Sequence, residues 1–504
     1  MRLLKSGIRV AILTIFSRIS GFLRELFIAS LFGVSELSDS IFFALKFPNL
    51  IRIALGEKAF FYNFVPFFST KLIDSKKSAE QFASSIFTIL IILLIILVIF
   101  IQLIMPYIMF IFVPGFYTVE NKLKVTVLLC RITIFYVILA SIVVFIGEML
   151  NSVGKFAVLA FSPILLNILI IAGTYLSSNF ASSKVAICCS LIIAGLIQVL
   201  FVYINLKKAG IRLFFRIDRS DKNIKSFGSN LVYSMLSSGV SQISNLISQV
   251  ISSFFSGGIS ILSYADRIYQ LPLAIIGISL NTVLLPELSK LYKQGLVDKA
   301  IILQKKTINI SCFLALPAAV VIGMLSYPIA ELVYQHGAFT QENTQKTSLV
   351  IAISAFGLPT YILAKVITPA FYANCDTKTP MKIAICSSLL NITLSILFAQ
   401  FFDYIGIVLS NAISLLANII FVLIAANKFS YYKFTKATAV FILKLLVSCV
   451  IMAITIYYLN NVVLYNKTTL LFKIFSLLIC IAIGGLVYLV SCFVLRVHHI
   501  LYKG

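Results

Sequence analysis

The chain has 504 residues, 60% of them hydrophobic and 12% charged, with no tryptophan and a mean hydropathy of +1.05. Soluble domains are about half apolar and about a quarter charged, so this balance excludes a soluble fold. The 41 Lys and Arg residues against 17 Asp and Glu give a formal charge of +24, which in a soluble protein would suggest nucleic acid. Here most basic residues sit in short loops between apolar runs, with no basic arm, so they read as a topology signal and no nucleic-acid partner is expected.

Apolar runs separated by polar punctuation predict an all-α integral membrane protein of about fourteen transmembrane helices, at about 9–33, 40–68, 82–112, 125–149, 157–176, 185–206, 228–255, 261–286, 308–333, 347–372, 383–401, 405–426, 437–459 and 468–495. The start, MRLLKSGIRVAILTIF, has the basic head and apolar stretch of a signal peptide, but Arg18 and Arg24 follow without a small-x-small cleavage site. It is read as an uncleaved first helix. The second helix is too polar to be found by hydropathy, yet the basic clusters flanking the first hairpin require it to cross. With the N-terminus inside, alternate loops collect Lys71, Lys76 and Lys77, then Lys155, then seven basic residues in 207–225, then Lys290, Lys293, Lys299, Lys305 and Lys306, and finally Arg496 and Lys503. Both termini are therefore expected in the cytoplasm. Loops of about 20 residues or fewer leave no room for an extramembrane catalytic domain.

The nine cysteines include no CxxC and nearly all fall in apolar segments, as buried small hydrophobes do. His336, His498 and His499 are the three histidines, too few and too scattered for a zinc site; no metal site is expected.

The chain repeats itself at a period of about 220–224 residues. Ser17, Ile19, Ser20 and Pro48 recur as Ser241, Ile243, Ser244 and Pro272; VPFFSTKL recurs as LPELSKL; PGF recurs as GAF; Asn151, Lys155 and Asn167 recur as Asn374, Lys378 and Asn391. An even number of helices per repeat makes the halves parallel, as in transporters built from two similar lobes. The expected organisation is an N-lobe at 1–224, a C-lobe at 225–430 and two additional C-terminal helices at 431–504. Two such lobes rocking about a central cavity make transport the default function.

Ten basic residues lie within predicted helices: Arg18, Arg24, Lys46, Arg52, Lys58, Arg131, Arg267, Lys365, Lys444 and Lys473. A cation at the centre of a spanning helix costs about 2.5–3.5 kcal/mol on insertion scales, so those at mid-depth should face a wet cavity or a partner. Lys58, Arg131, Lys444 and Lys473 lie nearer helix ends and are expected to snorkel. On the first helix Ser17, Gly21 and Arg24 share one face and Arg18 and Glu25 the adjacent one. The second adds Asp39, Lys46, Asn49, Arg52 and Glu57 around Pro48, with Lys46 and Glu57 nearly in line. The eighth supplies Asp266, Arg267 and Gln270 ahead of Pro272. Surplus guanidinium charge in an enclosed site suits phosphate or carboxylate oxygens; internal pairing that holds the lobes together is the alternative.

SRISGFLRELFIASLFG, SDSIFFALKFPNLIR and GEKAFFYNFVPFFS, followed by YADRIYQLPLAIIGISLNTVLLPELSK, GAFT and GLPTYILAKVITPAFYANCDTKTP, resemble in order the motifs of the MurJ/MviN lipid II flippase family. Together they span the first twelve helices. Many relatives read EGAF after the second helix; Lys58 here replaces that glycine. The resemblance implies the multidrug/oligosaccharidyl-lipid/polysaccharide exporter fold, MATE-like, with the last two helices forming a groove for a lipid tail. It implies export of lipid II, the undecaprenyl-diphosphate precursor of peptidoglycan, to the outer leaflet of the bacterial inner membrane. The family's central cations carry over onto Arg18, Arg24, Arg52 and Arg267, with Glu25 and Asp39 also implicated, and Ser17, Lys46, Pro48, Asn49, Glu57, Asp266 and Gln270 are read as supporting or gating residues.

The expected partners are lipid II and membrane lipids, with a monomer as the default and a functional link to peptidoglycan polymerases. No cofactor and no catalytic residue is expected, and transport is expected to depend on membrane potential or an ion gradient. The competing readings are a flippase for another polyprenyl-diphosphate glycan, an ion-coupled small-molecule exporter, a membrane enzyme, and a receptor or scaffold. A cationic-drug exporter would need intramembrane carboxylates in place of an arginine surplus, and an enzyme would need grouped Asp, His or metal ligands.

Overall fold

The structure, a computed structural model, describes residues 2–54, 57–119, 121–177, 183–216, 244–374, 376–429, 431–432, 435–463 and 469–497. Helices are the only regular elements among them, with no strand. A bilayer offers no water to unpaired backbone groups, so a chain this apolar satisfies them within helices. The described residues divide into two compact units, Met1–Ser260 and Ile261–Gly504. The boundary expected at 224/225, and most of the helix expected at 228–255, lie outside the described residues.

The first unit contains α1 (Arg2–Phe32), α2 (Glu36–Ala54), α3 (Glu57–Asp74), α4 (Lys76–Leu103), α5 (Met105–Phe112), α6 (Lys122–Thr133), α7 (Tyr136–Ser152), α8 (Phe156–Leu176) and α9 (Ser183–Lys208). Within it α1 packs along α8, α8 and α7 along α9, and α2 along α6. Its core is aromatic. Phe60, Phe61, Phe64 and Phe68 of α3 pack with Phe82, Phe87 and Phe145, the Phe64 and Phe145 rings only 4.7 Å apart between centroids. The phenylalanines of the GEKAFFYNFVPFFS motif therefore build core.

α10 (Gly258–Pro272) starts at the boundary, and α11 (Ser279–Lys293), α12 (Val297–Met324), α13 (Ser326–Tyr334), α14 (Gln341–Ala373), α15 (Lys378–Lys428), α16 (Lys436–Val463) and α17 (Leu470–Val494) follow. Between α10 and α11 the chain continues through a π-helical stretch, Leu273–Ile278. Pro272 lacks the amide that would hold the α register there, and the wider turns absorb the missing bond.

Among the described residues nine helical stretches are long and apolar enough to cross a membrane. One of these, α15, has 51 residues, about 76 Å at 1.5 Å per residue, against a hydrocarbon core of about 30 Å. It is two crossings. Asp403 turns the chain back with φ 51° and ψ −140°, and a Cβ on Gly406 would overlap the Phe398 and Ala399 backbone. Asn391 Nδ2 donates to Ser414 Oγ at 3.2 Å and Asn418 Nδ2 to Ser387 Oγ at 3.0 Å. Both pairs are centred on Phe402 and Asp403, as an antiparallel hairpin requires, matching the helices expected at 383–401 and 405–426. α1 is long enough to cross at 31 residues but carries Arg18, Arg24 and Glu25, so apolarity alone does not select it.

Of the eight described cysteines, Cys130, Cys188, Cys312, Cys449, Cys480 and Cys492 are buried, and Cys189 and Cys386 are exposed. Cys375 lies outside the described residues.

Candidate functional site

α1 carries polar groups through an apolar helix, and α8 packs against it at the level of Arg24. Arg24 Nη1 donates to Asn167 Oδ1 at 3.1 Å, and Nη2 lies 3.2 Å from Glu25 Oε1. Asn167 Nδ2 in turn donates to Ser20 Oγ at 3.0 Å and to the Ser17 carbonyl at 3.2 Å. The amide of Asn167 thus spans the stripe from Ser17 to Arg24 and fixes the guanidinium's direction. Glu25 is buried, its side chain 5% exposed, while that of Arg24 keeps 19%. Burying a carboxylate beside the arginine lowers the cost of holding a cation at this depth and leaves it able to meet an anion. Arg18, one and a half turns earlier, is exposed, and Glu25 takes Arg24 as its partner.

A second ion pair joins the end of α2 to the start of α3. Arg52 Nε donates to Glu57 Oε1 at 3.0 Å and Arg52 Nη2 meets Glu57 Oε2, a bidentate pair. Ser141 Oγ of α7 adds a bond to Glu57 Oε1 at 3.3 Å. Glu57, which helical spacing placed in line with Lys46, is therefore held by Arg52. The Tyr136 hydroxyl bonds Gln198 at 3.1 Å and lies within electrostatic reach of Arg52, Glu57 and Arg24. Arg24 and Arg52 therefore act on one region. Lys46 and Asn49 are exposed on α2 and Pro48 is buried; side-chain detail at Lys58 lies outside the described residues.

Asp39 stands apart from both pairs. It is fully buried, and its carboxylate accepts from Lys122 Nζ at 3.0 Å, the Gly257 amide at 2.9 Å, the Ser260 amide at 2.9 Å and Ser260 Oγ at 2.6 Å. Lys122 is 2% exposed in its side chain and sits 4.1 Å from the centroid of Phe116. Four charge-assisted donors on one carboxylate make a fixing point for the start of α10. The Gly115 amide donates to Ser253 Oγ at 3.0 Å, and a Cβ on Gly115 would collide with the Ser253 backbone. That gives the glycine of PGF a steric reason. In this unit Asp39 is a positioning residue.

In the second unit, α10 presents Asp266 exposed and Arg267 half-buried. Gln270 Nε2, one turn on, donates to Asp266 Oδ2. Tyr264 is fully buried and its carbonyl accepts from the Tyr334 hydroxyl at 2.9 Å; the Tyr264, Tyr334 and Phe339 rings cluster around it. The buried side of α10 is thus aromatic packing, and Asp266 is on its accessible side. Lys473, expected to snorkel, meets Glu331 Oε1 of α13 at 2.6 Å.

Sequence reading named none of Lys122, Ser141, Gly257 and Ser260 among the site residues, and it gave Asn167 no partner. Lys122 opens a helix on the side where few basic residues were expected. Asn167 had been noticed as a repeated asparagine within an apolar run, and a lone amide at such a depth needs polar partners.

Known proteins supply the last comparison. The family model described as lipid II flippase MurJ matches residues 28–478. A relative from Rickettsia prowazekii (strain Madrid E), a probable lipid II flippase MurJ, is 41% identical over 502 residues, covering 99% of this chain and 98% of its own length. A solved lipid II flippase MurJ in an inward closed conformation superposes with a TM-score of 0.82 at 29% identity, covering 97% of this chain and 99% of that one. An inward-facing multidrug resistance MATE transporter of the MOP superfamily shares the fold alone, with a TM-score of 0.68 at 13% identity over 84% of this chain and 99% of its own. Matched along nearly its whole length by model, relative and structure, the chain belongs to the lipid II flippase MurJ family.

Proposed function

We propose that this multi-pass inner-membrane protein moves lipid II from the cytoplasmic to the outer leaflet by alternating access. The observation that carries the reading is the family match over residues 28–478. The side chains support it chemically: Arg24 is held at depth by Asn167 and Glu25, and Arg52 by Glu57, and a diphosphate is the anion suited to guanidinium forks.

In the proposed cycle, the lobes at 1–224 and 225–430 open toward the cytoplasm, where both termini lie, and the diphosphate is taken onto Arg24, Arg52 and Arg267. Arg18 adds positive charge along the path. The polyprenyl tail stays in lipid, along a groove made by the two helices of 431–504. Rocking of the lobes releases the headgroup outside, and no bond is made or broken. No resident cofactor is needed. An inward-negative potential favours return of the empty cationic site, by about 2.3 kcal/mol per charge per 100 mV. The protein acts as a monomer among membrane lipids, and peptidoglycan polymerases consume what it delivers.

Translocation of lipid II into proteoliposomes, with and without an imposed potential at fixed ion gradients, tests this. Transport of lipid II that stalls when the potential is abolished is the expected result. Transport unaffected by the potential removes the coupling, and transport of another polyprenyl-diphosphate glycan in place of lipid II removes the substrate assignment.

A further inference from the structure

Arg131 lines a groove on the first unit that has no part in the networks above. Leu128, Arg131, Ile132 and Phe135 line it from α6 and the turn that follows, Cys189, Ile192 and Ile193 from α9, and Gln102 from α4, around a volume of about 500 Å³. The spacings are i, i+3, i+4, i+7 on one side and i, i+3, i+4 on the other, so each is a single continuous helical face. The groove opens outward: Leu128 and Phe135 are each 48% exposed and Ile193 53%.

Beside the groove α6 ends at Thr133 and α7 begins at Tyr136. At that break the Arg131 carbonyl accepts from Gln102 Nε2 at 2.7 Å, which occupies the one other polar side chain of the lining. Among the described residues no side chain pairs with the Arg131 guanidinium. Arg131 lies nine positions beyond Lys122, about 13 Å along the helix, and its walls are apolar. Arg131 is itself exposed, and a guanidinium beside apolar walls on a lipid-facing surface suits an anion.

The repeat indicates that the fold itself needs no cation there. At the repeat offset the second unit carries Ile353, Ser354 and Ala355, and the positions matching Leu128 and Phe135 are packed shut, with Ile351 1% and Leu358 0% exposed. The charge and the open groove occur together in the first unit.

The geometry points to a binding site for an anionic glycerophospholipid, its phosphate on the Arg131 fork and one acyl chain lying between the faces of α6 and α9. Arg meets phosphate oxygens through two parallel N–H donors, a geometry Lys does not reproduce. A partner helix, about 10–12 Å across, would be seated over only about one turn in this volume, whereas an extended acyl chain fills it. By the topology above, the lipid comes from the outer leaflet.

Native mass spectrometry of the purified full chain, titrated with phosphatidylglycerol or phosphatidylcholine, reads the site directly. Wild type should retain one more phosphatidylglycerol than Arg131→Gln, whose affinity for that lipid falls about tenfold, with Arg131→Lys between them. Phosphatidylcholine should not distinguish the three. A photoreactive phosphatidylglycerol on wild type should label residues 128–135 and 189–193, and Phe135→Trp, which fills the groove, should reduce that labelling. Equal binding of the two lipids by wild type, undiminished binding by Arg131→Gln, or labelling elsewhere would each overturn the site.

Discussion

Asn167 in the first unit and Asn391 in the second occupy the same place in the repeat, yet they make different bonds. Asn167 reaches from α8 to Arg24, Ser20 and Ser17 of α1; Asn391 bonds Ser414 across the α15 hairpin. The same contrast holds for the charges. At an offset of about 224, Arg24, Asp39, Arg52 and Glu57 correspond to Ser248, Ser263, Ile276 and Asn281. Asp266 and Arg267 correspond to Phe42 and Phe43, which are buried in the first unit. Duplication preserved the helical frame, whereas each copy has its own charges. A repeat of this kind gives the two units similar helices but polar groups that are not equivalent, Arg24 and Arg52 in the first and Arg267 in the second.

The strongest way to break the comparison is through Asp39, which has no acidic counterpart. Asp39→Ala leaves Lys122 buried beside Phe116 without its carboxylate and should cost about 3–5 kcal/mol of stability. A thiol-reactive dye that reports unfolding through the buried cysteines measures it. Lys122→Met, which leaves Asp39 its Gly257 and Ser260 donors, should cost about half as much, and Asp39→Asn with Lys122→Met should lie closer to wild type than Asp39→Ala. If Lys122→Met proves the more damaging, Asp39 is not the fixing point.

The two asparagines sharpen it further. Asn167→Ala should lower lipid II translocation about tenfold or more, since Arg24 loses a charge-assisted bond of about 1.5–3 kcal/mol. Asn391→Ala should change it less than about twofold, because its bond joins two helices of one hairpin. Equal losses in the reconstituted rate would erase the distinction.

The smallest effect belongs to Asp376, just ahead of α15. It accepts from the Thr379 amide at 3.0 Å, and the Thr379 hydrogen bonds hold its carboxyl below the usual range. A carboxylate with a lowered folded pKa stabilises fully above the ordinary Asp range and loses that contribution as pH falls through the folded value. Asp376→Ala should therefore cost about 1 kcal/mol or less at neutral pH, and its melting curve should converge on wild type only in acid.

Much of the frame was legible in the sequence because membrane helices are specified locally. A run of about 20 apolar residues is long enough to span, and the gap expected between 401 and 405 is where Asp403 turns the chain. The charges on α1 and α2 were legible for the same reason, being conspicuous against apolar neighbours. Their partners were not. Helical spacing aligns Lys46 with Glu57, but Arg52 holds it; Lys473 looked like a snorkelling end, but Glu331 of α13 meets it. Lys122 stands 83 positions from Asp39 and Asn167 143 from Arg24, and only helix packing brings them together. The glycine of PGF has Ala338 at its place in GAF, and its reason, contact with the Ser253 backbone, lies in the tertiary structure.

The most direct test is the initial rate of lipid II translocation in proteoliposomes for wild type beside Arg24→Ala, Arg52→Ala and Arg267→Ala, each checked for normal insertion and melting. Wild type should transport, and each variant should fall by about tenfold or more while remaining folded. Folded variants that transport at the wild-type rate would contradict the account and reduce these arginines to internal pairing.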